Sequence, residues 1–476
     1  VEQSDEADTV RALGDLLAAQ KQAYLRDGPP DLGARLSRLK ALRGAIIARR
    51  SALEDAVMAD FGHRPVAETA LMEVLPACET IRYLVRHLRR FMAPQRRHVG
   101  WAFQAGRARI EYQPLGVVGV IAPWNYPVSL ALTPLATAIA AGNRVMLKPS
   151  EFTPHTSAAL KTLLADVFAQ DEVTVVTGGS DVAKAFAALP FDHLLFTGST
   201  QVGRSIMKAA SENLVPVTLE LGGKSPAIIE PGAVNDRTVS SIAYGKLANA
   251  GQTCIAPDYV LVHEDDRLSF VRRYGETVAR LFPDGSASRD YAAIINDRHH
   301  ARLRGLLEDA EDRGATVTRL GPALDESENA GRKLDPYLLL GVDDGMQVMR
   351  DEIFGPLLPV VTYRGMEDAI AYVNGRPRPL ALYFFGEARG EACRQVRAQT
   401  TSGNLGINAT LLHFAQEDLP FGGVGESGIG AYHGIEGFRR LSHAKGVYAQ
   451  GRLNLASLVR PPYGWLARLV LMIKLR

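Results

Sequence analysis

Val117-Val118-Gly119-Val120-Ile121-Ala122-Pro123-Trp124-Asn125-Tyr126-Pro127 is the stretch on which the fold turns. Val117–Ile121 is a short, nearly all-apolar run, as expected of a strand buried on both faces of a parallel sheet. The prolines break it. Residues 128–141 then resume as a helix closed by Gly142, at the position where a left-handed cap favours glycine. Val145-Met146-Leu147-Lys148-Pro149 is the next strand. Helix 156–169, strand 173–177, helix 182–189, strand His193–Thr197, helix 201–211 and strand 215–221 continue the rhythm. Strand and helix alternating in this way mark a doubly wound α/β sheet. Ligands of such sheets sit beyond the carboxyl ends of the strands. Here those ends carry Asn125, Lys148 with Glu151, Gly178-Gly179 and Gly198-Ser199.

Upstream, residues 8–96 read as helices. Leu36, Leu39, Leu42, Ile46, Ile47 and Leu53 recur at helical spacing behind Asp31 as N-cap, and a second amphipathic run covers 67–91. These are scaffold, with no chemistry assigned. Residues 107–112 read as an extended arm. Downstream, a second α/β unit opens near Gly222 with strand 227–230 and helix 234–249. Cys254, strand Tyr259–His263 and helices 268–282 and 298–313 follow. The unit closes through Ser402-Gly403-Asn404-Leu405-Gly406-Ile407-Asn408 and the glycine-rich 419–430. Residues 465–475 are strongly apolar but fall short of the ~20 residues of a spanning helix, and Arg468 and Lys474 interrupt them. Two readings stay open for this tail: a helix docked on its own subunit or a dimer mate, and one lying on a membrane surface.

At 476 residues the chain exceeds a single ordinary core, so two large domains are expected. Apolar content of 46% and charged content of 22% fit a soluble globular protein. A net charge of +2 gives no electrostatic reason to expect nucleic acid. Three widely spaced cysteines, Cys78, Cys254 and Cys393, argue against a disulfide framework. No CxxC or HExxH spacing suggests a metal. The acidic, polar start shows no signal peptide, and the cytoplasm is the simplest location.

Some motifs mislead. Gly423-Val424-Gly425-Glu426-Ser427-Gly428 matches GxGxxG, but no βαβ unit follows it. Gly223-Lys224-Ser225 resembles the end of a phosphate-binding loop, yet Thr218 stands where its first glycine is required. The better nucleotide candidate is Phe196-Thr197-Gly198-Ser199-Thr200-Gln201-Val202-Gly203. There a strand ends, two small residues allow close approach, and the free N–H groups of a helix start suit a pyrophosphate. A plain tight turn is the bland alternative. Lys148 and Glu151 strengthen the case, since together they can bond the hydroxyls of an adenine ribose. A carboxylate at Glu151 disfavours a 2′-phosphate, which leans the cofactor to NAD, with NADP possible.

Two further stretches carry chemistry. Leu219-Glu220-Leu221-Gly222-Gly223 ends a strand in a carboxylate, and Gly251-Gln252-Thr253-Cys254 presents a thiol in an accessible turn. A thiol attacks carbonyls, and a nearby carboxylate can activate the water that cleaves the resulting thioester. Free cysteine is also a common inert core residue, as Cys78 and Cys393 look to be. Asn125, stiffened between prolines, can donate to an oxyanion together with the Cys254 amide. Glu352 and Phe354, before Gly355-Pro356, could hold a ribose and pack against a nicotinamide; a loop end is the plain alternative.

Pro123-Trp124-Asn125, Lys148–Glu151, Phe196–Ser199, Glu220–Lys224, Gly251–Cys254, Glu352–Pro356 and Ser402–Asn408 follow the order of the aldehyde dehydrogenase motifs. Through roughly residue 450 the chain resembles that NAD(P)-dependent family. The resemblance implies Cys254 as catalytic thiol, Glu220 as general base and Asn125 as oxyanion donor. It implies Lys148, Glu151, Gly198, Ser199, Glu352 and Phe354 as cofactor contacts. The implied fold is α/β: a Rossmann-like cofactor domain (1–97 and 114–221), a catalytic domain (222–422), an oligomerisation arm (98–113 and 440–450) and an apolar tail (451–476). The context of Cys254 is similar to class 3 enzymes, with bacterial coniferyl aldehyde dehydrogenases the closest resemblance. Such enzymes are typically dimers acting on aromatic or fatty aldehydes, with arm strands 107–112 and 442–448 expected to pair between subunits. Tyr126, His413 and Phe414 are candidates for the substrate pocket, packing being an equal reading for the last two. The membrane-spanning tail of fatty members does not carry over, because this tail is shorter and charged. Two rivals remain: an enzyme passing the acyl group to coenzyme A, and a non-catalytic binding or structural protein, whose mark would be loss of Cys254 or Glu220.

Overall fold

The computed structural model describes residues 2–100, 103, 106–322, 331–452 and 460–475. Parts of the expected arm (101–102, 104–105), second domain (323–330) and tail (453–459, 476) lie outside the described residues. In chain order the strands are β1 Gln95–Arg97, β2 Arg107–Pro114, β3 Val117–Ile121, β4 Arg144–Lys148, β5 Val173–Val175, β6 His193–Thr197, β7 Val217–Glu220 and β8 Pro226–Ile229. Then come β9 Tyr259–His263, β10 Thr316–Arg319, β11 Tyr337–Leu340, β12 Leu357–Tyr363, β13 Ala381–Phe385, β14 Asn404–Ile407, β15 Gly428–Ile429 and β16 Ser442–Ala449.

The first sheet has the order β15-β7-β6-β3-β4-β5, with β3 to β7 mutually parallel. All five residues of β3 are buried, as an all-apolar central strand requires, and so are all five of β4, whose apolar centre Val145-Met146-Leu147 lies between buried Arg144 and Lys148. Helix Ser129–Ala141 is buried along its whole length and ends in a left-handed Gly142 (φ 93°), which closes on Ile139 O at 2.9 Å. The GxGxxG stretch is a turn, not a dinucleotide motif. Its Gly428 pairs antiparallel with Glu220 on β7. A Cβ on Gly428 would lie 2.3 Å from Leu219 O, so glycine serves close strand approach there.

The second sheet has the order β10-β11-β12-β9-β8-β13-β14, parallel except for β10. Its fully buried β13 is not singled out in the sequence, because a short apolar run alone does not distinguish a strand from a buried helix. In the arm, β2 pairs with β16 within the same chain, from Ser442↔Pro114 to Ala449↔Arg107. The two arm strands thus pair with each other inside one chain, and β16 stays an outer edge of the three-stranded sheet β1-β2-β16.

The N-terminal helices are Glu2–Asp27, Leu32–Ala48 and Arg50–Phe61. Asp31 caps the second, accepting from Ala34 N at 2.8 Å. The 67–91 run is not one helix. Val66–Thr69 passes through a π turn, Ala70–Val74, into Leu75–Met92. Near the C-terminus, helix Trp465–Lys474 exposes Trp465, Leu471, Met472 and Ile473. Among the described residues no helix is long and apolar enough to cross a membrane.

Candidate active site

Cys254 follows a backbone that few residues tolerate. Asn249 (φ 52°), Ala250 (φ 51°) and Gly251 (φ 78°) are three successive left-handed positions. A Cβ on Gly251 would sit 2.3 Å from Gly355 O, so the turn needs glycine both for its angle and for its space. Gln252 locks the turn: its Nε2 donates to Asn249 O and Ala293 O, each at 3.0 Å, and its Oε1 accepts from Ile295 N at 3.0 Å. The thiol emerges half-buried. Burial pushes it up to about 12, Glu352 and Glu220 add to the rise, and the backbone N–H groups of Cys254 and Ile255 oppose it. It is therefore protonated at neutral pH and needs a base or a neighbouring positive charge to ionise.

Glu220 ends β7 and is buried, and neither carboxylate oxygen has a hydrogen-bond partner among the described residues. Burial raises it well above the usual carboxylate range. An unpaired, raised carboxyl is what a general base near neutral pH requires. Glu352 is held differently. Its Oε1 accepts from Gly223 N at 3.1 Å, and burial brings it to about 7. Arg302 fixes the loop around it by donating to Glu352 O and Ile353 O at 3.2 and 2.5 Å.

Asn125 is buried, and its Nδ2 donates to Gln252 O at 3.0 Å, which leaves the second amide hydrogen for the cavity that Asn125 lines. Its backbone carbonyl accepts from Arg64 Nη1 and Asn249 Nδ2, each at 3.0 Å. Arg64 is fully buried and pairs with Glu73 at 2.8 Å. Glu73, on the π turn, also caps the buried helix by accepting from Val128 N and Ser129 N at 2.6 and 3.2 Å. The N-terminal segment thus acts as the expected scaffold, and Arg64 and Glu73 are the residues through which it positions Asn125. Nothing in the sequence pairs Arg64 with Asn125, because the contact spans 61 positions. Removing one partner of a buried ion pair leaves a stranded charge, which costs about 3–5 kcal/mol. Arg64→Met is expected to destabilise the fold by that order in urea unfolding and to lower kcat. Arg64→Met/Glu73→Gln, which removes the stranded charge, is expected to recover part of the stability.

Two cavities meet at the thiol, and among the described residues Cys254 and Leu130 line both. The first, of about 220 Å³, is bounded by Trp124, Asn125, Gly198, Ser199, Glu220, Glu352 and Phe354, with His299 and Arg302. Trp124 lies 5.0 Å from His299 and 5.3 Å from Phe354, ring to ring. Ser199 caps helix Thr200–Ser211, accepting from Val202 N at 3.4 Å. Lys148 and Glu151 stand outside this lining at the end of β4, 3.3 Å apart. An aromatic wall, a fixed carboxylate and a helix start with free N–H groups make a donor set that fits a dinucleotide. His299 and Arg302 carried no motif that singled them out, and Trp124 stood in the Pro123-Trp124-Asn125 motif without a role assigned to it.

The second cavity, of about 290 Å³, is apolar, bounded by Leu71, Met72, Tyr126, Tyr244, Leu411 and Phe414 among others. Tyr126 shares a hydrogen bond with Thr253 Oγ1 at 2.8 Å. Of the three expected pocket residues, Tyr126 and Phe414 line it. His413 does not; it packs behind, against Tyr383 and Phe421. Among the described residues no cluster of His, Cys, Asp and Glu could hold a metal.

The model of the aldehyde dehydrogenase family matches residues 1–447. A probable coniferyl aldehyde dehydrogenase of Pseudomonas aeruginosa is 52% identical over 455 residues, 96% of this chain and 94% of its own length. The coniferyl aldehyde dehydrogenase of a Pseudomonas species is 48% identical over 95% of this chain and 94% of its own. The Staphylococcus aureus AldH structure superposes with a TM-score of 0.90 at 35% identity, covering 96% of this chain and 99% of that one. A Mycobacterium tuberculosis aldehyde dehydrogenase complexed with NAD+ does so with 0.85 at 27% identity, covering 93% and 91%. A thiol between two cavities, an unpaired carboxyl beside it and these likenesses converge: the chain belongs to the aldehyde dehydrogenase family.

Proposed function

We propose that this protein oxidises apolar aldehydes to carboxylic acids with NAD(P)+, with hydroxycinnamyl aldehydes such as coniferaldehyde as the leading substrates. The supporting observation is the position of Cys254, whose thiol is shared by an apolar cavity and one suited to a dinucleotide. Cys254 attacks as the thiolate, its proton having passed to solvent: Sγ bonds to the aldehyde carbon, the C=O π pair moves to oxygen, and a thiohemiacetal oxyanion forms. Asn125 Nδ2 and the Cys254 amide donate to its oxyanion. NAD(P)+, held by Gly198, Ser199, Lys148, Glu151, Glu352 and Phe354, would supply the two-electron acceptor for the hydride of the aldehyde carbon. Glu220 then takes a proton from the water that attacks the thioester, and the C–S bond breaks.

Ser199, Gly198 and the helix start beyond them suit the pyrophosphate. Lys148 and Glu151 suit the adenine ribose, and Glu352 and Phe354 the nicotinamide side. Glu151 makes NAD the better cofactor by repelling a 2′-phosphate. Residues 1–97 with 114–221 form the cofactor domain in this reading, and 222–422 the catalytic one. A cytoplasmic homodimer completes it: β16 is the outer edge of the arm sheet and mostly exposed, which suits addition of a second copy. The apolar tail helix is assigned to a dimer contact, with a membrane surface as its alternative.

The test is NAD(P)H formation across hydroxycinnamyl, benzylic and graded aliphatic aldehydes, with NAD and NADP, with and without coenzyme A. The expected result is highest kcat/KM for apolar aldehydes with NAD, with no dependence on coenzyme A. One methylene discriminates by only about 10–200-fold, so the ranking across classes is the informative quantity. A rate that requires coenzyme A would replace hydrolysis with acyl transfer.

A further inference from the structure

Gly223-Lys224-Ser225 looks like the end of a phosphate-binding loop, yet Lys224 lines neither cavity. Its ammonium is turned inward. It pairs with Asp258, and the two side chains are 10% and 5% exposed. The same nitrogen donates to Val348 O at 2.8 Å and to Asp351 O at 3.0 Å, which together with Asp258 uses all three of its N–H bonds. Asp258 Oδ1 accepts in turn from Ile353 N at 3.0 Å. One ion pair therefore grips residues 348–353 by two carbonyls and one N–H. Its two halves stand on firm ground. Lys224 lies in the crossing from β7 of the first sheet to β8 of the second, and Asp258 directly precedes β9. Asp258 N donates to Ser225 O at 2.7 Å, which keeps the two anchors together.

The gripped loop carries Glu352 and runs into Phe354, and both line the cavity suited to a dinucleotide. Phe354 has φ 50°, a left-handed backbone that a bulky residue adopts only where its surroundings hold it. Its ring meets Trp124 edge-on at 5.3 Å. Glu352 is pressed against the crossing segment: a Cβ on Gly222 would lie 2.3 Å from both of its carboxyl oxygens. Both side chains are thus aimed by a loop whose backbone is strained at Phe354 and which needs external hydrogen bonds to keep its course. Arg302 supplies two of them, and the Lys224–Asp258 pair supplies three.

We propose that Lys224 and Asp258 are a positioning pair for the cofactor: they hold residues 348–354 so that Glu352 and Phe354 meet the nicotinamide side of NAD(P)+. The proposal rests on those two residues contacting the cofactor. It gives the Gly-Lys-Ser stretch a role in nucleotide binding without making Lys224 a phosphate ligand. Hydrogen bonds from a charged donor shielded from water are stronger than neutral exposed ones, so their loss frees the loop. The apolar cavity takes none of its lining from 348–354, and its shape does not depend on the pair. The signature is therefore selective: cofactor binding weakens while aldehyde binding stays as it was.

Lys224→Met alone strands the Asp258 carboxylate, so the informative variant is Lys224→Met/Asp258→Asn, which leaves no buried charge unpaired and keeps an acceptor for Ile353 N. Calorimetric titration with NAD+ should show affinity about ten-fold weaker, the scale of one or two charge-assisted hydrogen bonds. KM for NAD+ should rise in parallel, with KM for the aldehyde within about two-fold of wild type. Asp258→Asn alone, which conserves shape, should move the NAD+ constants in the same direction. Phe354→Gly removes the ring and suits the left-handed backbone, and it serves as the control for the cofactor contact. Wild-type NAD+ affinity in the pair variants, beside a weakened Phe354→Gly, would overturn the positioning role. So would KM for NAD+ and for aldehyde rising together, which is general loosening. Unchanged NAD+ binding in Phe354→Gly would remove the cofactor contact itself, and the proposal with it.

Discussion

Cys254→Ala is expected to abolish NAD(P)H formation with every aldehyde, by on the order of 10⁴-fold or more, as removal of an attacking nucleophile does. Three left-handed residues and the locked Gln252 present this thiol to both cavities. No other cysteine has that setting, since Cys78 and Cys393 are buried in helices. Cys78→Ala and Cys393→Ala should cost stability through lost packing while leaving turnover by the folded protein near wild type. The thiol is held up by burial and by two carboxyls, so the rate of the acylation step should rise with pH as it ionises. Single-turnover kinetics against pH measure that limb. A pH-independent acylation rate would mean that another group sets the ionisation.

Glu220→Gln should separate the two halves of the reaction. The burst of NADH is expected to survive, because attack and oxidation do not use this carboxylate as a base. Steady-state turnover is expected to fall by about 10²–10⁴-fold, the usual worth of a positioned base. A second effect follows from burial. The folded state holds the Glu220 proton above pH 4.5, where the unfolded chain has released it. The contribution of this group is therefore fully present below the unfolded value and is lost as pH rises through the folded one. An amide carries no such cost, so Glu220→Gln should melt at a higher temperature than wild type at neutral to alkaline pH, and the gain should shrink in acid. A variant less stable at pH 8 would mean that Glu220 has partners beyond those found.

Much of this was legible in the chain. Apolar-centred strands broken by prolines and glycines pointed to the first sheet, because burial on both faces leaves a clear composition in the middle of β3, β4 and β6. Cys254, Glu220 and Asn125 stood out because each interrupts apolar surroundings at a strand end or a turn. The rest was hidden for physical reasons. The strands of the arm announce that they need a partner but not which one, and 107–112 found it inside its own chain. The π turn at Ala70–Val74 leaves a periodicity that reads as one helix, so the aim of Glu73 at Arg64 is invisible until the chain folds. His413 looked like a pocket residue because it neighbours Phe414; both rings pack on Phe421, but only Phe414 reaches the apolar cavity, while His413 turns toward Tyr383.

The most direct test of the central claim is the mass of the protein after mixing Glu220→Gln with NAD+ and coniferaldehyde, followed by peptide mapping. The account predicts one acyl group per chain, carried by the peptide containing Cys254 and released by hydroxylamine. An unmodified Cys254 under conditions where NADH has formed would contradict a thioester at this residue, and with it the mechanism built on the two cavities.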